Sequence, residues 1–121
     1  MALANRIMGG GLSAGAAQAV NGDVASGLTS AGTNQGTALE LTSGVNVVET
    51  AAASTGVVLT DSMISDQYEI LNLGANAITV YPPSGARINA IATNGGFTLA
   101  TNTACKIRKF TSTRWVAWLS A

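Results

Sequence analysis

The chain has 121 residues, with six basic and six acidic side chains, no histidine and one cysteine; 47% of it is apolar but only 5% is aromatic. Zero formal charge leaves no electrostatic footprint for nucleic acid or an anionic membrane. A lone Cys105 excludes an intrachain disulfide framework, and without histidine neither a Ser-His-Asp nor a Cys-His mechanism can be built.

A chain of this length is expected to fold as one domain. Residues 1–36 read differently from the rest. They hold glycine at positions 9, 10, 11, 15, 22, 27, 32 and 36, and isolated apolar residues with no sustained period. Ala14 to Val20 could form one or two turns of helix, too few to stand alone. This stretch reads as an extended arm, either disordered or ordered against a neighbour. The start of the chain lacks the basic-then-apolar order of a signal peptide, and no apolar run approaches a membrane span of ~20 residues.

From residue 37 the period becomes two. Strands are expected over Thr37–Leu41, Val45–Thr50, Gly56–Thr60, Tyr68–Leu73, Ala77–Tyr81, Arg87–Ile91, Phe97–Ala100, Ala104–Phe110 and Trp115–Leu119, separated by Gly, Asn, Ser and Asp clusters. The division is therefore an arm over residues 1–36 and a β domain over 37–121. The fold class expected is all-β: a small antiparallel β-sandwich or jelly-roll-like barrel with an extended glycine/alanine-rich N-terminal arm. In Tyr68-Glu-Ile-Leu-Asn-Leu the placing of Ile70, Leu71 and Leu73 suggests a strand that shifts face or carries a bulge. Gly74-Ala-Asn76-Ala reads as a hairpin turn joining this strand to Ile78-Thr-Val-Tyr. Pro82 and Pro83 lack amide donors, so the strand ending at Tyr81 must leave its sheet there, and Ser84-Gly85 supplies the turn. The proline pair is a corner, and could also shape a rigid surface for another chain.

Near the C-terminus, Lys106, Arg108 and Lys109 interleave with Cys105, Ile107 and Phe110 as a half-buried strand with a cationic outer face. Cys105 reads as a small buried hydrophobe. Trp115 and Ala117 point one way and Val116 and Trp118 the other, so one tryptophan belongs to the core and the other to a rim or an interface. The acidic residues Asp23, Glu40, Glu49, Asp61, Asp66 and Glu69 all precede the basic residues Arg87, Lys106, Arg108, Lys109 and Arg114. Such asymmetry could set the register of copies docking side by side.

No catalytic constellation emerges. Asp61, Asp66 and Glu69 are the only close acidic group, and they lack the order of a calcium loop or a clear glycosidase pair. Gly9-Gly-Gly11-Leu-Ser-Ala14 has no preceding strand or following amphipathic helix to make it a dinucleotide fingerprint. No enzyme activity, cofactor or metal is expected.

Residues 31–119 carry a phrasing of strands and turns: Ala31-Gly-Thr-Asn-Gln-Gly-Thr-Ala-Leu, Val45-Asn-Val-Val, Gly56-Val-Val-Leu, Leu71-Asn-Leu-Gly-Ala-Asn-Ala-Ile-Thr-Val-Tyr-Pro-Pro-Ser-Gly, Ile88-Asn-Ala and Arg114-Trp-Val-Ala-Trp. In this it resembles small virion proteins of tailed bacteriophages, especially head-decoration (capsid cement) and fibre-associated β domains. The resemblance implies a non-enzymatic structural protein of the capsid exterior, made in the host cytoplasm. Its expected partners are copies of itself, as a homotrimer, and the major capsid protein, with no nucleic acid and no membrane. The side chains expected to make these contacts are Arg6, Ile7, Leu12, Val20 and Leu28 in the arm, Tyr81, Pro82 and Pro83 at the corner, and Arg87, Arg108, Arg114 and Trp118. The competing reading is a fibre-associated module that binds host carbohydrate, with Tyr68, Tyr81 and one tryptophan clustered on an outward face.

Overall fold

The computed structural model describes residues 23–120. Ten strands follow in chain order: β1 (Val24–Thr29), β2 (Leu39–Leu41), β3 (Val45–Thr50), β4 (Gly56–Leu59), β5 (Gln67–Asn72), β6 (Ile78–Tyr81), β7 (Arg87–Ile88), β8 (Phe97–Leu99), β9 (Thr103–Lys109) and β10 (Arg114–Leu119). No helix occurs among the described residues. The all-β class is as expected, and each expected strand has a counterpart.

Two sheets form, one ordered β1-β3-β5-β9-β10-β7 and the other β2-β4-β6-β8. From β1 to β6 the chain alternates between them, and successive strands in each sheet pair parallel: β1 with β3, β3 with β5, β2 with β4, and β4 with β6. This is a solenoid-like stack of three rungs, each rung a strand from either sheet. Antiparallel pairing between strands, expected throughout, occurs only in the second half, β8 against β6, β9 against β5, and β10 against β9; the first half has a single antiparallel bridge, Ala31 to Gly56. The short β7 lies parallel to β10 at the far edge.

The hairpin expected at Gly74-Ala-Asn76-Ala does not form, because β5 and β6 lie in different sheets. Asn72 is fully buried. Its Oδ1 accepts from the Gly74 amide at 3.0 Å, and its Nδ2 donates to the carbonyls of Asn76 at 2.9 Å and Leu99 at 3.0 Å. These bonds hold the chain in a corner that crosses to the other sheet, giving otherwise orphaned backbone groups their partners. Gly74 rests against the corner of the rung before it, where an added Cβ would stand 2.5 Å from the Ala51 Cβ and 2.7 Å from its amide nitrogen. Asn76 Nδ2 donates to the Ala51 carbonyl at 2.9 Å and ties the two corners together.

The expected bulge in β5 is absent as well. Gln67 to Asn72 pair continuously with Arg108 to Thr103. Tyr68, Ile70 and Asn72 face inward and Leu71 outward, so the face does not shift; a polar residue takes the inward place. β3 repeats the inversion, with Asn46 and Val48 inside and Val45 and Val47 outside. Asn46 Nδ2 donates to the Ser43 carbonyl at 2.8 Å, again at the end of a rung.

A single core lies between the sheets. Leu41, Val57, Leu59, Ile78, Val80 and Leu99 come from one side, and Val48, Tyr68, Ile70, Ile88, Cys105, Ile107 and Trp115 from the other. Each such side chain contributes about 1.5–3 kcal/mol by leaving water. Trp115 is the core tryptophan, its ring 5.8 Å from that of Tyr68.

The expected arm boundary at residue 36 falls after a strand. Within the span assigned to the arm, Val24 to Thr29 form β1, an edge strand whose register against β3 shifts between Ala25 and Leu28, where Gly27 has φ +67°. Positive φ is the conformation glycine adopts at no steric cost. The helical turns considered for 14–20 and the glycine run 9–14 lie outside the described residues.

Candidate functional site

The residues singled out by sequence fall in separate regions. Arg6, Ile7, Leu12 and Val20 lie outside the described residues. Leu28 is half-buried and packs against the core. Pro82 and Pro83 are both buried: the Pro82 carbonyl accepts from Gln35 Nε2 at 2.7 Å, and the Pro83 carbonyl accepts from the Ala86 amide at 3.0 Å. The corner turns at Gly85, which has φ +83° and donates its amide to Asn94 Oδ1 at 2.7 Å. The prolines therefore end β6 without presenting a surface. Tyr81 is half-buried beside them, its hydroxyl 3.5 Å from the Thr33 carbonyl.

Arg87 and Arg114 stand opposite each other on β7 and β10. Arg87 is half-buried with its Nε unpartnered, whereas Arg114 is exposed and lies 5.6 Å from the centre of the Phe110 ring. Cation–π contact of this kind at an exposed site contributes about 0.5–1 kcal/mol. A hollow of about 320 Å³ opens beside Phe110, Arg114 and Val116.

Arg108 and Trp118 do share a surface, the outer face of the six-stranded sheet. Because the inward positions of β3 and β5 include Asn46 and Asn72, the outward positions receive Val45, Val47 and Leu71, and Leu73 continues the row just beyond β5. β9 adds Ala104, Lys106 and Arg108, and β10 adds Val116 and Trp118. At the edge, Val24 stands level with Val45. Exposure reaches 61% at Val24, 52% at Leu73 and 55% at Trp118, values that mark an apolar surface left to solvent.

On this face Glu69 and Lys106 form an ion pair, whereas Arg108 keeps its charge and is hydrogen-bonded to a neutral amide. Lys106 Nζ lies 3.6 Å from Glu69 Oε1, and Arg108 donates to Gln67 Oε1 at 2.7 Å. An exposed pair such as Glu69–Lys106 is worth about 0–1 kcal/mol. Beside it, a groove of about 220 Å³ is bounded by Leu71, Ala104, Lys106, Trp118 and Leu119. The strand pattern places Trp118 outward; the outward Val45, Val47, Leu71 and Leu73 were missed, and the signal was Val45-Asn-Val and Leu71-Asn-Leu, where the polar residue takes the inward position.

The expected cationic strand needs correction at Lys109. Arg108 and Lys106 point outward, but Lys109 points inward and is only 5% exposed. Its Nζ is 2.5 Å from Asp61 Oδ1 and donates to the Ser62 carbonyl at 2.5 Å, 5.9 Å from the centre of the Trp115 ring. Its backbone is also committed: the amide donates to the Asp66 carbonyl at 3.0 Å and the carbonyl accepts from Ser65 at 2.8 Å. Together these contacts staple the 61–66 loop to β9. The Lys109 hydrogen bond and charge hold the Asp61 carboxyl below its ordinary range. The acidic trio thus has three separate tasks. Asp61 binds Lys109, Asp66 Oδ2 accepts from the Met63 amide at 3.2 Å, and Glu69 pairs with Lys106.

Burial pushes the Cys105 thiol up to about 12, leaving it protonated and a poor nucleophile. Among the described residues no group of three His, Cys, Asp or Glu side chains could hold a metal ion. The aromatics do not converge on one surface: Tyr68 is buried against Trp115, Tyr81 belongs to the four-stranded sheet, and Trp118 stands on the six-stranded one. No protein-family model, curated protein or solved structure matches the chain.

Proposed function

We propose that this chain is a structural virion protein, a decoration or cement protein that binds the outside of a phage head as a homotrimer and braces the junctions between capsomers. In this reading the two sheets act as a sandwich-like knob, and the segment preceding Asp23 contributes to attachment. The major capsid protein is the second partner, and no reaction is performed on the chain. The observation that carries the reading is the outward apolar face of the six-stranded sheet, on which Trp118 is 55% exposed while Lys106 and Glu69 beside it are paired with each other. Such a surface favours contact with another protein surface over a polyanion. A multicopy shell adds to it, because many weak attachments to a rigid lattice reinforce one another.

The host-carbohydrate reading expects a clustered aromatic platform, and the dispersal of Tyr68, Tyr81 and Trp118 gives it no comparable support. The test is co-sedimentation with empty heads assembled from the capsid protein of the same phage, using the full chain and a variant lacking residues 1–22. Binding by the full chain and its weakening in the truncated variant are the expected results. A full chain that stays in the supernatant overturns the cement assignment, and a glycan-array signal in its place supports carbohydrate recognition.

A further inference from the structure

From the outer face of the six-stranded sheet we infer that copies of the chain associate there, the Trp118 indole of one copy entering the groove beside Trp118 of the next. The inference takes from the proposed function only that copies associate. It names the surface and does not depend on a capsid.

Three observations point to a second copy as the occupant. First, knob and socket lie on the same face: Trp118 stands 55% exposed, and the groove bounded by Leu71, Ala104 and Lys106 beside it measures about 220 Å³. Cavities of about 150 Å³ hold a benzene ring, so this one has room for an indole. A surface that carries both halves of a contact is complementary to itself, the requirement for symmetric association.

Second, the charges suit a copy. The face presents Glu69 as an acid and Lys106 as a base 3.6 Å apart, each already part-neutralised. Two copies can exchange partners across the contact, Glu69 facing Lys106 of the next, so that these two charges still meet as opposites. A strongly charged partner finds no such match.

Third, the area suffices. The five strands of six or seven residues, at a spacing of about 4.8 Å and along about 20 Å each, make a face of roughly 500 Å². Two such faces in contact remove roughly 1,000 Å² from water, the lower bound for a specific interface. Val45, Val47 and Leu73 supply the apolar area around the indole.

The test is the solution mass of the full chain by light scattering or native mass spectrometry at micromolar concentration, for wild type, Trp118→Lys, Leu73→Lys and Thr98→Lys. Thr98 is exposed on β8 in the other sheet and serves as the control. Wild type and T98K are expected to be oligomers. W118K and L73K are expected to dissociate at least about 30-fold more readily, the effect of losing a central anchor. Both residues are exposed, so circular dichroism should be unchanged. A monomeric wild type overturns the proposal, as does an oligomer that both substitutions leave intact. An oligomer that W118K dissociates supports the surface even when wild type fails to bind heads, an outcome that removes the cement reading alone. A dimer would support the surface and overturn the trimer. Loss of head binding in W118K with a monomeric wild type would assign the face to the capsid, against this proposal.

Discussion

Asn72 gives the sharpest test of how the rungs turn. Its side chain is fully buried and makes three hydrogen bonds, to the Gly74 amide and to the carbonyls of Asn76 and Leu99, all between 2.9 and 3.0 Å. Asn72→Ala removes them together. At about 1 kcal/mol net for each bond, and more where a buried group is left without any partner, the loss should be about 3–5 kcal/mol. That is a large share of the total stability of a small domain, about 5–15 kcal/mol. Each kcal/mol lowers the midpoint of a domain this size by about 4–8 °C, so thermal unfolding followed by circular dichroism should show a fall of at least about 12 °C. Asn72→Asp keeps the acceptor toward Gly74 but sets an oxygen against two carbonyls. The introduced carboxyl then resists ionisation in the folded state, its folded pKa lies above its unfolded one, and this variant should lose stability as pH rises above about 4, the unfolded carboxyl's value. A fall of under about 4 °C for Asn72→Ala, or a flat pH response for Asn72→Asp, would refute the idea that the corner is held by this side chain.

Other consequences can be checked in the same material. The Asp61 carboxyl titrates below its unfolded value of 3.8, so the Lys109 contact stabilises the fold above that pH and is lost as pH falls through the folded value; Asp61→Asn should flatten the acid limb of a melting-temperature profile. Lys109→Met should leave the sheet intact yet loosen the 61–66 loop, seen as faster amide exchange at Ser65 and Asp66 and as faster proteolysis near Met63, which is 78% exposed. Gly74→Ala forces a methyl group against the Ala51 backbone and should cost about 1–3 kcal/mol, measured by urea unfolding. Cys105, buried and with its thiol pushed up to about 12, should resist a thiol reagent at pH 8 until denaturant is added; rapid labelling of the native protein would contradict its placement.

Strand positions were legible because β-branched runs separated by glycine and asparagine mark them locally. Pairing sense was not. The turn chemistry of Gly74-Ala-Asn76-Ala suits a hairpin, and only the reach of Asn72 into the corner and the close approach of Gly74 to Ala51 send the chain across to the other sheet. The same long-range facts invert the alternation in β3 and β5. A reader of Val45-Asn-Val-Val or Leu71-Asn-Leu assigns asparagine to solvent by default, but corner bonds make asparagine the better inward residue and leave the aliphatic neighbours outside. β1 was hidden by Gly27, whose bulge breaks the period. Of the surface proposed here, Lys106, Arg108, Val116 and Trp118 were visible in advance, and Val45, Val47, Leu71 and Leu73 were not. Lys109 was misassigned because its charge suggests water, while its partner Asp61 lies 48 positions away in the chain.

The unequal ends of the stack have a mechanical consequence. β1 pairs only with β3 among the described strands, through a broken register, whereas β5 is gripped by β3 on one side and β9 on the other. Loosening should therefore be directional, starting at the β1 margin and advancing one layer at a time, as in stacked architectures where each unit leans on its immediate neighbours. Amide exchange should follow that gradient, quickest along Val24 to Thr29 and slowest along Tyr68 to Leu71. A force applied through the leading segment would meet the weakest layer first, peeling it away while the antiparallel half stays shut.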